Sequence, residues 1–119
     1  DQINIILSGS TRALLSASRV GFRSAIAFPF AKKTSNYTVG ASDFYVLADA
    51  TAASVGIILP SACNLAGDTY SVKCVNAAFS CCVITNAATE LINDTASMLG
   101  LAASATAWLV SSGSHWYTF

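Results

Sequence analysis

A two-residue alternation of polar and apolar side chains is the feature that most constrains the fold of this chain. It is clearest at residues 69–75, where Thr, Ser and Lys alternate with Tyr, Val and Cys. A period of two places alternate side chains on opposite faces of a β-strand, so we predict strands. The alanine and leucine content also permits a helix at residues 12–18 or 101–107, although neither segment has a convincing cap. Further β-rich runs occupy residues 3–7, 44–48, 54–59, 81–85, 91–92, 97–101, 107–110 and 115–119.

Turn-forming residues separate these runs at short intervals. Pro60 stops the run before it, because proline has no amide hydrogen for a strand ladder. We predict that residues 111–114 (SSGS) join the last two strands as a hairpin. The loop at residues 76–78 would join 69–75 to 81–85 as a second hairpin. This spacing predicts an all-β fold, a compact antiparallel β-sandwich or barrel-like head.

The charged residues divide the chain into two parts. The first 42 residues hold five basic residues and one acidic residue, a net +4, whereas residues 43–119 hold one and five, a net −4. We predict an extended shaft-like or linking segment at residues 1–36 and a β-rich head domain at residues 37–119. The chain begins at Asp1 and not at an initiator methionine, so we expect it to be a piece of a longer protein.

Charged residues are scarce over the chain as a whole. They make up 10% of it, against roughly 25% in a typical soluble domain, while the net charge is +0 and the hydrophobic fraction 54%. That hydrophobic fraction excludes an intrinsically disordered chain. Binding nucleic acid through a broad basic surface needs an excess of Lys and Arg, so we expect no nucleic-acid partner. The few charges predict a surface that largely contacts other copies of the chain.

The C-terminal part invites a membrane interpretation, because residues 95–119 contain no Asp, Glu, Lys or Arg. A spanning helix needs about 20 predominantly apolar residues. The apolar run from Ala96 to Val110 is shorter and is interrupted by Ser104 and Thr106. Alternating strands account for this stretch better, and we expect no membrane insertion.

The cysteines allow two interpretations. No C-x-x-C pair occurs and His115 is the single histidine, so the usual zinc patterns are absent and we expect no metal and no cofactor. If the strands at 69–75 and 81–85 pair, Cys74 could form a disulfide with Cys81 or Cys82. We favour the alternative, that the cysteines are small buried hydrophobic side chains in a protein assembled in the cytosol. The four cysteines are Cys63, Cys74, Cys81 and Cys82.

Catalytic patterns are weak throughout. Glu90 and Asp94 are the nearest carboxylates in sequence that could act as an acid–base pair. Asp49, Asp68 and Asp94 all lie at strand ends or turns, where Asp supplies local backbone hydrogen bonds. A Ser-His-Asp hydrolase would have to use His115, but the sequence has no G-x-S-x-G nucleophile elbow. It also has no glycine-rich phosphate-binding motif. We therefore predict no catalytic residues and a protein that is not an enzyme.

Aromatic side chains are the remaining candidates for recognition, because Trp and Tyr bind sugars and proteins well. Tyr37 at a segment junction and Phe79 at a turn are predicted to be exposed, and they are our candidate recognition residues. Most of the aromatic residues within predicted strands are expected to be core. These are Tyr45, Tyr70, Trp108, Trp116 and Tyr117.

The head resembles a recurrent C-terminal domain of bacteriophage tail fibres and related virion spike proteins. An ordered series of motifs carries the resemblance over about 80 residues. The series departs from the family at Asn93-Asp94, where such domains tend to have Asp-Gly, and at the cysteines, where they have Val or Thr. Residues 8–12 and 18–22 also look like fibre-shaft sequence. The resembling segments are residues 43–51 (DFYVLADAT), 57–62 (IILPSA), 66–73 (AGDTYSVK), 82–85 (CVIT), 90–93 (ELIN) and 111–117 (SSGSHWY).

This resemblance implies a homotrimeric, β-rich virion appendage without catalysis of its own. The function it implies is host-receptor binding during adsorption, with a host-surface glycan or protein as partner. The alternative is a purely structural trimerisation or capsid-decoration module that contacts no receptor. Its other partners would be the rest of the virion fibre, and its location an exposed fibre or spike made in the host cytoplasm.

Overall fold

The computed structural model describes residues 2–7, 10–16, 20–22, 25–63 and 66–119, the first three ranges by their backbone alone. Within these residues the protein is all-β and contains no helix. The all-β prediction is therefore confirmed. The strands are β1 (Gln2–Leu7), β2 (Ser10–Ser16), β3 (Val20–Phe22), β4 (Phe30–Lys33), β5 (Tyr37–Thr38), β6 (Tyr45–Asp49), β7 (Val55–Ile58), β8 (Thr69–Asn76), β9 (Cys81–Ile84), β10 (Met98–Leu101), β11 (Thr106–Ser111) and β12 (Trp116–Thr118).

The first three strands form an antiparallel sheet in the order β1-β2-β3. The helix considered at residues 12–18 is wrong for residues 12–16, because these residues belong to β2, which pairs along its length with β1. The rest of that segment lies outside the described residues.

Two further sheets pack against each other. One has five strands in the order β12-β11-β8-β6-β4, and the other has four in the order β10-β9-β7-β5. Buried side chains from both sheets form the core between them, with Trp116, Ile57 and Leu109 among the largest that are fully enclosed. Tyr70 packs beside Trp116, with ring centroids 5.8 Å apart.

Both packed sheets are mixed, which corrects the expectation of a purely antiparallel sandwich. From β4 to β9 the chain alternates between the five-stranded and the four-stranded sheet. When the chain comes back to a sheet, the new strand therefore runs in the same direction as the previous strand of that sheet. As a result β4, β6 and β8 pair in parallel, and so do β5, β7 and β9. Only the strands after β9 close the sheets in antiparallel fashion.

The hairpin expected between residues 69–75 and 81–85 is wrong for the same reason. The turn after β8 carries the chain into the opposite sheet, where β9 pairs with β7 and β10. Two backbone bonds fix the crossing: Ala50 N donates to Asn76 O at 3.0 Å, and Val55 N donates to Ser80 O at 2.8 Å. The hairpin expected at residues 111–114 is confirmed, because β11 pairs with β12 across it.

The helix left open at residues 101–107 is also wrong. Leu101 ends β10 and Thr106 begins β11, and a turn with a left-handed Ser104 (φ 66°) separates them. Ser104 N donates to Cys74 O at 2.8 Å, and Cys74 N donates to Ala105 O at 2.9 Å. This turn is therefore bonded to β8, and its backbone groups are not available for a helix.

Cys74 and Cys81 form a disulfide, with their Cα atoms 6.2 Å apart. The bond links β8 in the five-stranded sheet to β9 in the four-stranded sheet. Our preferred expectation of four reduced cysteines is thus corrected: the crossing places the two sulfur atoms together although the strands are not a hairpin. Cys63 and Cys82 are free, Cys63 exposed and Cys82 half-buried. Burial raises the pKa of the Cys82 thiol.

The position of strand β4 bears on the domain boundary predicted after residue 36. It lies within the segment predicted to be a shaft or linker, yet it pairs with β6 from Phe30–Tyr45 to Lys33–Ala48. Asn36 follows it and accepts a hydrogen bond from Gly56 N at 2.8 Å. The five-stranded sheet therefore includes residues from both sides of the predicted boundary.

Candidate functional site

The outer face of the five-stranded sheet carries a row of aromatic side chains. Strand register places Phe30 beside Tyr45, Tyr45 beside Ser71, and Ser71 beside Trp108. The period-two alternation puts Val46 and Leu109 into the core and their neighbours Tyr45 and Trp108 on the opposite face. The small Ser71 is buried between the two large rings, whose centroids are 6.1 Å apart.

Two further rings extend this row into a cluster, which we call the aromatic face (Phe28, Phe30, Phe44, Tyr45 and Trp108). Phe28 stacks on Phe44 with centroids 4.5 Å apart. Phe44 meets Tyr45 edge-on at 4.7 Å and Trp108 edge-on at 5.9 Å. Contacts of these kinds hold the rings in fixed orientations. The rings of Phe28, Phe44, Tyr45 and Trp108 therefore form a preorganised apolar surface, and Phe30 extends it from the strand position beside Tyr45.

The aromatic face stays open to solvent. Phe30 is 65% exposed and Trp108 39% exposed, and Phe28 is also exposed. Large apolar groups of this kind are normally buried, so a contiguous exposed group marks an interaction surface. The expectation that most of the five aromatic residues in predicted strands belong to the core is wrong, and Trp108 is the one that is exposed. Tyr70 and Trp116 are buried as expected, and Tyr45 and Tyr117 are half-buried.

A groove of about 270 Å³ runs along this face, with Phe30 and Trp108 among its walls. Ser71 and Leu47 also line it, and Lys73 and Thr106 add polar groups. Lys73 is exposed and forms no ion pair with any residue the structure describes. The groove thus combines aromatic walls with one cationic side chain, which suits a ligand with both an apolar surface and polar or anionic groups.

The other cationic side chain on this face is neutralised. Lys32 Nζ lies 3.1 Å from Asp49 Oδ2. Asp49 also accepts hydrogen bonds from the Thr51 hydroxyl and from Thr51 N, the latter at 3.1 Å. These bonds, those of Thr51 foremost, lower the pKa of the Asp49 carboxyl.

Tyr37 does not lie on the aromatic face. It is half-buried on β5, and its hydroxyl donates to Asp43 Oδ2 at 2.6 Å. That hydrogen bond raises the pKa of the Tyr37 phenol. Lys33 Nζ lies 3.9 Å from the ring centroid. Tyr37 is thus less exposed than its position at a segment junction predicts, and its part in receptor binding stays a prediction.

Phe79 is 51% exposed, as predicted, and lies in the turn between β8 and β9. It lines a groove of about 460 Å³ together with Met98 and Gly100 of β10. Because β5 and β10 are opposite edges of the four-stranded sheet, the structure keeps the two predicted residues, Tyr37 and Phe79, apart.

The residues considered for acid–base chemistry hold loops together. Glu90 accepts hydrogen bonds from Ser61 Oγ at 2.7 Å and from Ala62 N at 3.1 Å. Asp94 accepts one from the Tyr117 hydroxyl at 2.8 Å, which raises the pKa of that phenol. His115 Nδ1 accepts one from Leu91 N at 3.1 Å. Among the residues with described placement, no three His, Cys, Asp or Glu side chains group as metal ligands.

Sequence reasoning missed most of the aromatic face. Phe28 lies outside the predicted strands, Phe44 begins the predicted run at residues 44–48, and most of the strand aromatics, a group that includes Trp108, were expected in the core. The usable signal is the alternation in residues 106–111: Ala107 and Leu109 can fill a core position, which places Trp108 on the opposite face. Which face of this strand is buried follows only from its pairing with β8.

Comparison of the chain with protein-family models, curated proteins and solved structures yields no match. None of the described segments forms a helix long and apolar enough to cross a membrane.

Proposed function

We propose that this protein is a non-enzymatic head domain of a virion fibre or spike, and that it binds a host-surface receptor as a homotrimer. The resemblance of residues 43–117 to tail-fibre heads supports the class of protein. The aromatic face supports a binding role and is the observation that carries the proposal. In this proposal the N-terminal residues 1–36 connect the head to the rest of the fibre.

The aromatic face suits a receptor because four of its five rings are already held by one another. Tyr and Trp offer large contact areas, and fixed rings lose little conformational entropy on binding. The polar groups beside the rings, Lys73 and Thr106, would orient a glycan or a protein side chain in the groove. Receptor contact is therefore assigned to Phe30 and Trp108 in preference to Tyr37.

The homotrimer is supported by the charge content. Only 10% of the residues are charged, and burying unpaired charges between subunits would cost several kcal/mol each. A chain with few charges avoids that cost when its flanks pack around a three-fold axis. A mass in solution of three times 12.3 kDa, or a whole multiple of that mass, is the expected result.

Binding to susceptible cells tests the receptor role. Labelled protein should bind the cells, and Trp108→Ala should weaken binding about thirtyfold or more, because truncation of a central aromatic residue in an interface costs about 2 kcal/mol or more. Phe79→Ala is the matched control, since it removes an exposed ring from a different surface. Loss of binding in Phe79→Ala alone would move the receptor site to that turn.

A structural trimerisation or capsid-decoration module is the second candidate, and the scarcity of charge favours it equally. It predicts a stable trimer that binds no cells and whose removal stops virion assembly. Wild-type protein that forms trimers but shows no saturable cell binding would select this candidate.

A further inference from the structure

Three of the four outer edges of the two packed sheets are protected against pairing with another chain. Edge strand β4 follows Pro29 and carries Lys32 and Lys33, and charges and proline at an edge discourage strand addition. Edge strand β5 has only two residues. Edge strand β12 is covered, because Thr118 N donates to Asn93 Oδ1 at 2.9 Å.

The fourth edge, β10, has none of these protections. Its sequence is Met98-Leu99-Gly100-Leu101, and residues 95–104 contain no charge and no proline. Thr85 N donates to Ser97 O at 2.9 Å, which fixes the residues that bond to β9 as Ser97, Leu99 and Leu101. In an antiparallel pair the intervening residues point their peptide groups the other way. The N–H and C=O groups of Met98 and Gly100 therefore face away from the sheet.

This edge is complementary to itself. If a second copy of β10 approaches in antiparallel orientation across a two-fold axis at Leu99, Met98 of each copy pairs with Gly100 of the other. The two outward-facing residues of each strand then exchange both their hydrogen bonds. Met98 is 58% exposed, and a Cβ added at Gly100 would meet no atom within 4 Å. The missing side chain at Gly100 thus leaves room for Met98 of the second copy.

We propose that β10 is a self-recognition edge, through which two copies of the chain join their four-stranded sheets into one continuous sheet. The partner is a second copy because the register matches each protruding Met98 with a glycine, and because no charge opposes the approach of an identical strand. The aromatic face lies on the other sheet and stays free in such a pair.

The contact is independent of the proposed trimer. A two-fold contact by itself yields dimers, and combined with a three-fold axis that it meets at right angles it yields hexamers. Mass in solution, measured by light scattering at micromolar concentration, reports both contacts at once.

Gly100→Lys tests the two-fold contact. The new side chain enters open space in a single copy but meets Met98 of the second copy and adds a charge at the edge. Met98→Lys provides a second variant at an exposed position, in case Gly100→Lys does not fold. Ala103→Lys is the control, because it adds the same charge at an exposed position two residues beyond the strand. Circular dichroism checks that each variant is folded.

The expected result is a wild-type mass that is an even multiple of 12.3 kDa, halved by Gly100→Lys or Met98→Lys and unchanged by Ala103→Lys. Amide hydrogens of Met98 and Gly100 should exchange slowly in wild type and rapidly in the variants. Hexamers that become trimers support both proposals, and dimers that become monomers support this contact while contradicting the trimer. Wild-type trimers or monomers overturn the two-fold contact.

Discussion

Asp49 shows at the scale of one residue how a strand end is fixed in this chain. Its carboxylate receives the backbone and hydroxyl hydrogens of Thr51 and the ammonium group of Lys32. The first contact is the local turn bond expected from sequence, and that expectation is confirmed. The second joins the ends of β4 and β6, whose pairing is visible only in the folded chain.

We expect the stability contribution of Asp49 to depend on pH in the acid range. Its folded-state pKa is lowered, so the contribution is fully present above the unfolded pKa of about 3.9 and is lost as pH falls towards the folded value. The free energies of unfolding of wild type and Asp49→Asn, measured in urea, should therefore differ at pH 6 and converge below about pH 4. A difference that grows on acidification would contradict the assignment.

At the scale of elements, the crossing from β8 to β9 decides the cysteine chemistry. Cys74 and Cys81 lie on consecutive strands of different sheets, and their disulfide spans the two layers. The same crossing leaves Cys82 on the outer side of β9, because neighbouring residues of a strand point to opposite faces. The Cys74–Cys81 disulfide that we considered as a bond across a hairpin thus forms between two strands that do not pair with each other.

Reduction should destabilise the protein measurably. The disulfide joins positions seven residues apart, and a loop of this size contributes about 2 kcal/mol through the entropy of the unfolded chain. We expect dithiothreitol to lower the free energy of unfolding by about that amount in wild type. The response should vanish in the Cys74→Ala/Cys81→Ala double variant and persist in Cys82→Ser. A full response in the double variant would assign the effect to other cysteines.

At the scale of the whole molecule, alternation of the chain between two layers builds both sheets together. Strands β4 to β9 contribute in turn to the five-stranded and the four-stranded sheet. Strand β10 then completes the four-stranded sheet, and β11 and β12 complete the five-stranded one. The aromatic face and the β10 edge lie on different sheets. One molecule can therefore present a ligand surface and a self-pairing edge without competition between them.

Two truncated chains test where the folding unit begins. A chain of residues 25–119 retains β4 and should unfold cooperatively in urea. A chain of residues 37–119, starting at the predicted domain boundary, loses β4 and the Asn36 bond to Gly56, so β6 becomes an unprotected edge. We expect the shorter chain to be clearly less stable or insoluble. Equal stability of the two would support a head that begins at Tyr37.

Part of the fold follows directly from local patterns. Alternation at residues 69–75 and 107–110 predicts strands, and the Ser-Gly-rich turn at 111–114 predicts the last hairpin, because a period of two and a left-handed Gly113 (φ 96°) are properties of short segments. Strand pairing is not such a property. The same run of residues 81–85 fits a hairpin with β8 or a place in the opposite sheet equally well by its side chains.

By itself the sequence determined that this protein is built of strands, that it carries few charges and where many of its turns fall. The tertiary structure alone decided that the strands cross between layers, that Cys74 meets Cys81, and that Phe28, Phe44 and Trp108 gather on one open face. The physical reason is the range of the forces involved. Backbone preference and side-chain alternation act within a few residues, whereas the buried face of a strand depends on which distant strands pack against it.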